Sequence, residues 1–195
     1  WPYTTLFRSS ARLLAGSFVS IPLVAVLIVY IVLNVFYSAW LKRIPVVDIF
    51  CVAAGFVLRV YAGAVVIDVP LSSWMLVTTL SIALYLAAIK RRDELEAQGD
   101  GARAVLGQYS VALLDRFALM SSVCAMVFYS LFVVTTRPVL AFTIPLVLFG
   151  IFRYWFLVDR ESRGESPTDA LWNDRTLFIT VLLWGLLCAY LLRQP

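Results

Sequence analysis

The chain has 195 residues, of which 62% are hydrophobic, and a mean hydropathy of +0.90; a soluble domain carries roughly 45–50% apolar residues, so this excess cannot be hidden in so small a core and excludes an ordinary globular domain. The net charge of +4, from 16 Lys+Arg and 12 Asp+Glu, gathers between apolar runs as in membrane loops, which excludes nucleic acid as a partner. There is no His, and with it go the commonest general base and the commonest zinc ligand.

The first residues do not read like the rest. Pro2-Tyr3-Thr4-Thr5-Leu6-Phe7-Arg8-Ser9 is what a widely used sequencing adapter spells when translated in this frame. Residues 1–9 are therefore expected to be foreign, residues 10–195 to be a partial transmembrane domain, and the natural start to lie upstream. Six apolar segments follow, at approximately 14–37, 45–66, 72–89, 112–135, 138–157 and 175–193. Each is long enough, or nearly so, to span about 30 Å of hydrocarbon at a helical rise of roughly 1.5 Å per residue. The runs are continuous rather than alternating, so helices satisfy their backbone and a membrane β-barrel does not. The predicted fold class is all-α, a polytopic transmembrane bundle of six helices. Asp68-Val69-Pro70 and Arg137-Pro138 supply tight breaks. Cys51, Cys124 and Cys188 lie far apart in apolar runs and read as ordinary buried thiols.

Four constellations could carry chemistry. Tyr37 to Asp48 joins the first two segments and holds Lys42 and Arg43, either as a basic interfacial anchor or as an anion site at a bundle mouth. Arg59 lies inside the second segment, eleven residues past Asp48 and on one helical stripe with Asp48, Val52, Gly55 and Gly63. A guanidinium at that depth must face the interior and be paired, so it serves as an anion contact or a structural ion pair, and the glycines allow close approach. Lys90-Arg91-Arg92-Asp93-Glu94-Leu95-Glu96 closes the third segment. It is a solvated helix end or a diphosphate site, with the cations on phosphate oxygen and Glu94 on a metal. The last loop runs from Arg153-Tyr154 through Asp159-Arg160 to Asn173-Asp174-Arg175, and Tyr109 follows the long polar loop. Asp100-Gly101-Ala102-Arg103 has the flavour of a CDP-alcohol phosphotransferase signature but lacks its spacing and its downstream Gly and Asp.

Charge sets the topology. Lys42, Arg43, Lys90, Arg91, Arg92, Arg103, Arg116, Arg153, Arg160, Arg163 and Arg175 flank the loops of one side, against Arg12, Arg137 and Arg193 on the other. The first side is therefore predicted to be cytoplasmic and the C-terminus outside.

Taken in order, Tyr37…Leu41-Lys42…Asp48, Gly55…Leu58-Arg59…Ala62-Gly63, Pro70-Leu71-Ser72-Ser73-Trp74, Lys90-Arg91…Glu94-Leu95, Arg153-Tyr154, Asp159 and Asp174-Arg175 resemble the UbiA superfamily, in its decaprenyl-phosphate phosphoribosyltransferase branch. The resemblance covers roughly residues 13 to 193 and implies helices four to nine of a nine-helix bundle. It implies transfer of 5-phosphoribose from phosphoribosyl diphosphate to a polyprenyl phosphate, with Mg²⁺ as cofactor, for a route to cell-envelope precursors, and a homotrimer as the assembly. The family's first motif, Asn-Asp-x-x-Asp-x-x-x-Asp, supplies most Mg²⁺ ligands and is absent here, so this length of chain is expected to be inactive. Carried over, the catalytic residues are Lys90, Arg91 and Glu94. The substrate-binding residues are Tyr37, Lys42, Asp48, Arg59, Tyr109, Arg153, Asp174 and Arg175, and Glu94 is the metal ligand. Catalysis would be positioning and electrostatic stabilisation of departing diphosphate, without a protein nucleophile. The rival readings are an aromatic prenyltransferase of the same superfamily, and a transporter or structural membrane subunit.

Overall fold

A computed structural model describes residues 21–98, 106–161 and 171–193. Residues 1–9, Arg12, the stretch 99–105 with Arg103, and Arg163 lie outside the described residues. Six long helices account for the described chain: α1 Ile21–Ala39, α2 Val47–Ile67, α3 Ser73–Gln98, α4 Val111–Thr136, α5 Ile144–Glu161 and α6 Arg175–Arg193. Six spans are long and apolar enough to cross a membrane, as the apolar runs predict. Among the described residues there is no strand.

The ends follow local chemistry. α2 stops at Asp68, whose left-handed backbone (φ 57°, ψ 44°) returns its N–H to the Ala64 carbonyl; Asp tolerates that conformation, and Pro70 prevents the helix from resuming. α4 starts at Ser110, whose side chain accepts the Leu113 N–H at 3.2 Å. Arg137-Pro138 breaks α4 into a 3₁₀ segment, Pro138–Thr143, before α5. The third helix departs from the apolar pattern. It runs well past residue 89 through the charged stretch to Gln98, because Lys, Arg, Glu, Leu and Ala all favour helix and Arg92 pairs with Glu96 one turn on.

α3 is the centre of the packing. Its Tyr85, Ala88 and Ile89 meet Ala118 of α4, Tyr154 and Leu157 of α5 and Leu177 of α6. Its Ala87 meets Ile49 of α2, with Tyr109 and Leu114. The buried alanines at 87, 88 and 118 let the backbones come close, as small residues do between membrane helices. Outward faces stay apolar: α1 buries only Val26, while Ile28, Val32 and Val35 are exposed, as lipid-facing residues should be. Gly55 sits 3.8 Å (measured to an added Cβ) from the Tyr30 ring, whereas nothing lies within 4 Å of Gly63. The close approach predicted at both glycines is therefore confined to Gly55. Cys51, Cys124 and Cys188 are free, and half-buried rather than buried as predicted.

Candidate functional site

The ends of α1, α3 and α5 and the starts of α2, α4 and α6 lie at one end of the bundle, since successive helices alternate in direction. Most of the described charge is there. At its centre is Arg91. Because α3 continues as helix, position 91 extends the inward stripe of Leu84 and Ala87, and the guanidinium enters the bundle with the residue only 6% exposed. Nε donates to Asp48 Oδ2 at 2.9 Å, Nη2 donates to the Tyr37 hydroxyl at 2.9 Å, and Nη1 pairs with Glu94. Asp48 is fully buried, and its other oxygen accepts the Tyr109 hydroxyl at 2.7 Å. The Tyr109 hydroxyl in turn accepts the Val46 N–H. Burial, then the hydrogen bond to Asp48, pushes the Tyr109 phenol well above its ordinary value, so it stays protonated and able to donate.

The knot explains an otherwise costly backbone. Val46 has φ 67° and ψ −44°, and such a conformation costs a β-branched residue about 1–3 kcal/mol unless the surroundings impose it. Tyr37 before the turn and Val46 with Asp48 after it are all tied to α3 or to the segment entering α4. Between those ties lies a short arch, a 3₁₀ turn at Leu41–Arg43, and Lys42 and Arg43 on it are exposed.

Of the predicted site residues, Tyr37, Asp48, Arg91, Glu94 and Tyr109 come together. Lys42 and Lys90 belong to the same end but are exposed, without an ion pair among the described residues. Glu94 takes Arg91, three residues back, rather than Lys90. Arg59 does not join the cluster. It lies three turns along α2, donating Nη2 to the Tyr30 hydroxyl at 2.9 Å, with its guanidinium 5.5 Å from the Tyr30 ring and 5.0 Å from the Phe56 ring. Contrary to the expectation that it faces the interior and is paired, Arg59 is exposed, and cation–π contacts and one hydroxyl offset part of the cost of a charge in an apolar slab.

Arg153 and Asp174 form a separate clasp between α5 and α6. Arg153 Nε reaches Asp174 Oδ1 at 3.1 Å and Nη2 reaches Oδ2 at 2.6 Å. Asp174 also caps α6, accepting the Leu177 N–H at 2.6 Å. The Arg153 hydrogen bond, helped by the Leu177 and Thr176 amides, holds the Asp174 carboxyl below its ordinary value. Arg175 is exposed beside it. Sequence reasoning missed one bridge, Arg92 Nε to Asp115 Oδ1 at 2.9 Å, which ties α3 to α4. A lone Asp in the first turns of an apolar helix was the signal for it.

Metal fits this set only in part. No group of three or more acidic, Cys or His ligands forms among the described residues. Both Asp48 oxygens are occupied, while the ion pair uses one Glu94 oxygen. One guanidinium against two carboxylates leaves the Asp48–Arg91–Glu94 group one negative charge in excess.

Comparison with known proteins gives a consistent picture. The signature of the UbiA prenyltransferase family matches residues 5–180. The decaprenyl-phosphate phosphoribosyltransferase of Mycolicibacterium smegmatis is 31% identical over 190 residues, covering 89% of this chain and 59% of that protein. Its namesake in Mycobacterium tuberculosis is 30% identical over 190 residues, covering 93% and 63%. That of Corynebacterium glutamicum is 31% identical over 174 residues, covering 84% and 52%. The chain thus spans about three fifths of the length of the first two relatives.

Proposed function

The chain belongs to the UbiA prenyltransferase family, and on that premise we propose that the protein is a membrane-embedded transferase moving 5-phosphoribose from phosphoribosyl diphosphate to a polyprenyl phosphate. The observation that carries the reading is the charge at one end of the bundle, where a buried Arg91–Asp48–Tyr109 frame lies behind the exposed cations Lys42 and Lys90. A soluble, highly anionic donor and an amphipathic phosphate acceptor meet at such a membrane face. Names borne by relatives about 30% identical favour this substrate pair over a prenyl diphosphate and an aromatic acid.

In this reading Lys42, Arg43 and Lys90 hold phosphate oxygens as flexible point charges. Arg91, committed to Asp48, Glu94 and Tyr37, keeps the wall of the site rigid behind those cations. Glu94 would hold Mg²⁺ through the oxygen not engaged by Arg91, the diphosphate supplying further ligands; when bound, the ion neutralises charge on the departing diphosphate. The lipid phosphate attacks the ribose carbon as the bond to diphosphate breaks, and no protein nucleophile is needed. The polar end faces the cytoplasm, where the soluble donor is available and where the excess of Lys and Arg belongs.

The test is a membrane preparation of the full-length protein given labelled phosphoribosyl diphosphate and decaprenyl phosphate. Transfer of label to lipid is the expected outcome. Consumption of a prenyl diphosphate with an aromatic acid, and no use of phosphoribosyl diphosphate, overturns the reading.

A further inference from the structure

We propose that Tyr109 is a positioning residue: its hydroxyl latches the strained turn at Val46 to Asp48, and so fixes the arch that presents Lys42 and Arg43. This rests on the transferase reading above, in which those two cations bind phosphate.

Val46 is a β-branched residue at φ 67°, close to the rare, strained γ-turn region. Left alone, the turn relaxes to a negative φ and re-aims the residues before it. Its N–H cannot bond within α2, because it precedes the helix. That N–H finds the Tyr109 hydroxyl, contributed 63 residues away from the segment entering α4. The same oxygen donates to Asp48 at 2.7 Å, so the hydroxyl bridges the strained residue and the first turn of α2. The other foot of the arch, Tyr37, is held independently by Arg91 at 2.9 Å. Both feet therefore answer to Asp48, and only the Val46 foot depends on Tyr109. Tyr109 is itself buried and its hydroxyl is committed twice, which suits a latch better than a substrate contact.

The experiment is a cycle of Tyr109→Phe, Val46→Gly and the double variant in the full-length protein, read in two ways. Kinetics gives KM for phosphoribosyl diphosphate and kcat. Hydrogen exchange follows the backbone amides of residues 41–47. Tyr109→Phe should raise KM about fivefold, the size of one lost hydrogen bond, with kcat little changed. It should also speed exchange across 41–47 while leaving α3 protected. Glycine adopts a positive φ without strain, so adding Val46→Gly to Tyr109→Phe should bring KM back to within about twofold of the parent, the turn no longer needing the latch. An unchanged KM and unchanged exchange in Tyr109→Phe overturn the proposal, as does a double variant no better than the single. If the parent does not use phosphoribosyl diphosphate at all, the functional reading fails and exchange alone decides: selective loosening of 41–47 supports the latch, and none refutes it.

Discussion

Arg91 offers the sharpest test of the frame. Its side chain is 7% exposed and that of Asp48 is fully buried, 2.9 Å apart. Arg91→Met keeps most of the side-chain length but leaves the Asp48 carboxylate inside the bundle with only the Tyr109 hydroxyl. Removing one partner of a buried ion pair costs about 3–5 kcal/mol, since the surviving charge is uncompensated. For a chain of this size, about 1 kcal/mol moves the melting midpoint by about 2–4 °C, so Arg91→Met should melt about 6–20 °C below the parent. Asp48→Asn in the same background removes the stranded charge and should recover much of that loss; the pair should depart from additivity by about 0.5–3 kcal/mol. Glu94→Gln is the control. That carboxylate is 20% exposed at the rim, and a rim pair contributes about 1 kcal/mol or less. The assay is thermal melting of the detergent-solubilised chain followed by Trp fluorescence. Equal shifts for Arg91→Met and Glu94→Gln, or a strictly additive double variant, would refute the reasoning.

Other consequences are quicker to check. Because Asp174 is held below its ordinary value by Arg153, its contribution is present above the carboxylate pKa of the unfolded chain and is lost as pH falls through the folded value. The stability gap between parent and Asp174→Asn should therefore be full at pH 7 and close as melts are taken into the acid range. Thr143 is fully buried, donating to the Leu140 carbonyl at 2.6 Å and bonded to the Tyr129 hydroxyl at 2.6 Å, so Thr143→Val should cost about 1–3 kcal/mol in the same melts. Gly63→Ala meets nothing within 4 Å and should be neutral or stabilising by up to about 1 kcal/mol. Gly63→Ala that destabilised the isolated chain would show a packing partner that α2 does not otherwise reveal.

What could be read in the sequence was what repeats along it. Six continuous apolar runs dictate six helices, because backbone groups in lipid have no other partner. The family resemblance rested on an ordered string of residues and survived comparison with whole proteins. Side-chain pairing was legible only where it was local and periodic. Lys90 stands four residues before Glu94, the spacing of a helical pair, yet it is exposed and Glu94 takes Arg91 instead. The apolar stripe of Leu84 and Ala87 already aims position 91 inward, and Glu94 is one turn from it. Arg59 shares a stripe with Asp48, and the eleven-residue offset already gave its depth, but the stripe did not give its surroundings: Arg59 is exposed where Asp48 is fully buried. The bond from Tyr109 to Asp48 spans 61 residues, and no local pattern announces it. Nor does any pattern announce Val46, since a β-branched residue is the last choice for a positive φ.

The arrangement divides labour among cations that look alike in sequence. A guanidinium with Nε, Nη1 and Nη2 each committed to Asp48, Glu94 and Tyr37 has little left to offer an incoming phosphate, and moving it would strand a buried carboxylate. Exposed Lys42 and Lys90 have the opposite property: mobile ammonium groups that can follow a phosphate from bound donor to departing diphosphate. If that division holds, Lys90→Gln should lower kcat/KM for the phosphorylated donor while leaving the melting midpoint in place, and Arg91→Met should lower both. The relevant comparison is the ratio of the two losses, measured in the full-length protein. A Lys90→Gln variant that melted as early as Arg91→Met would put Lys90 in the frame instead, and the anion would have to be held by the arch alone.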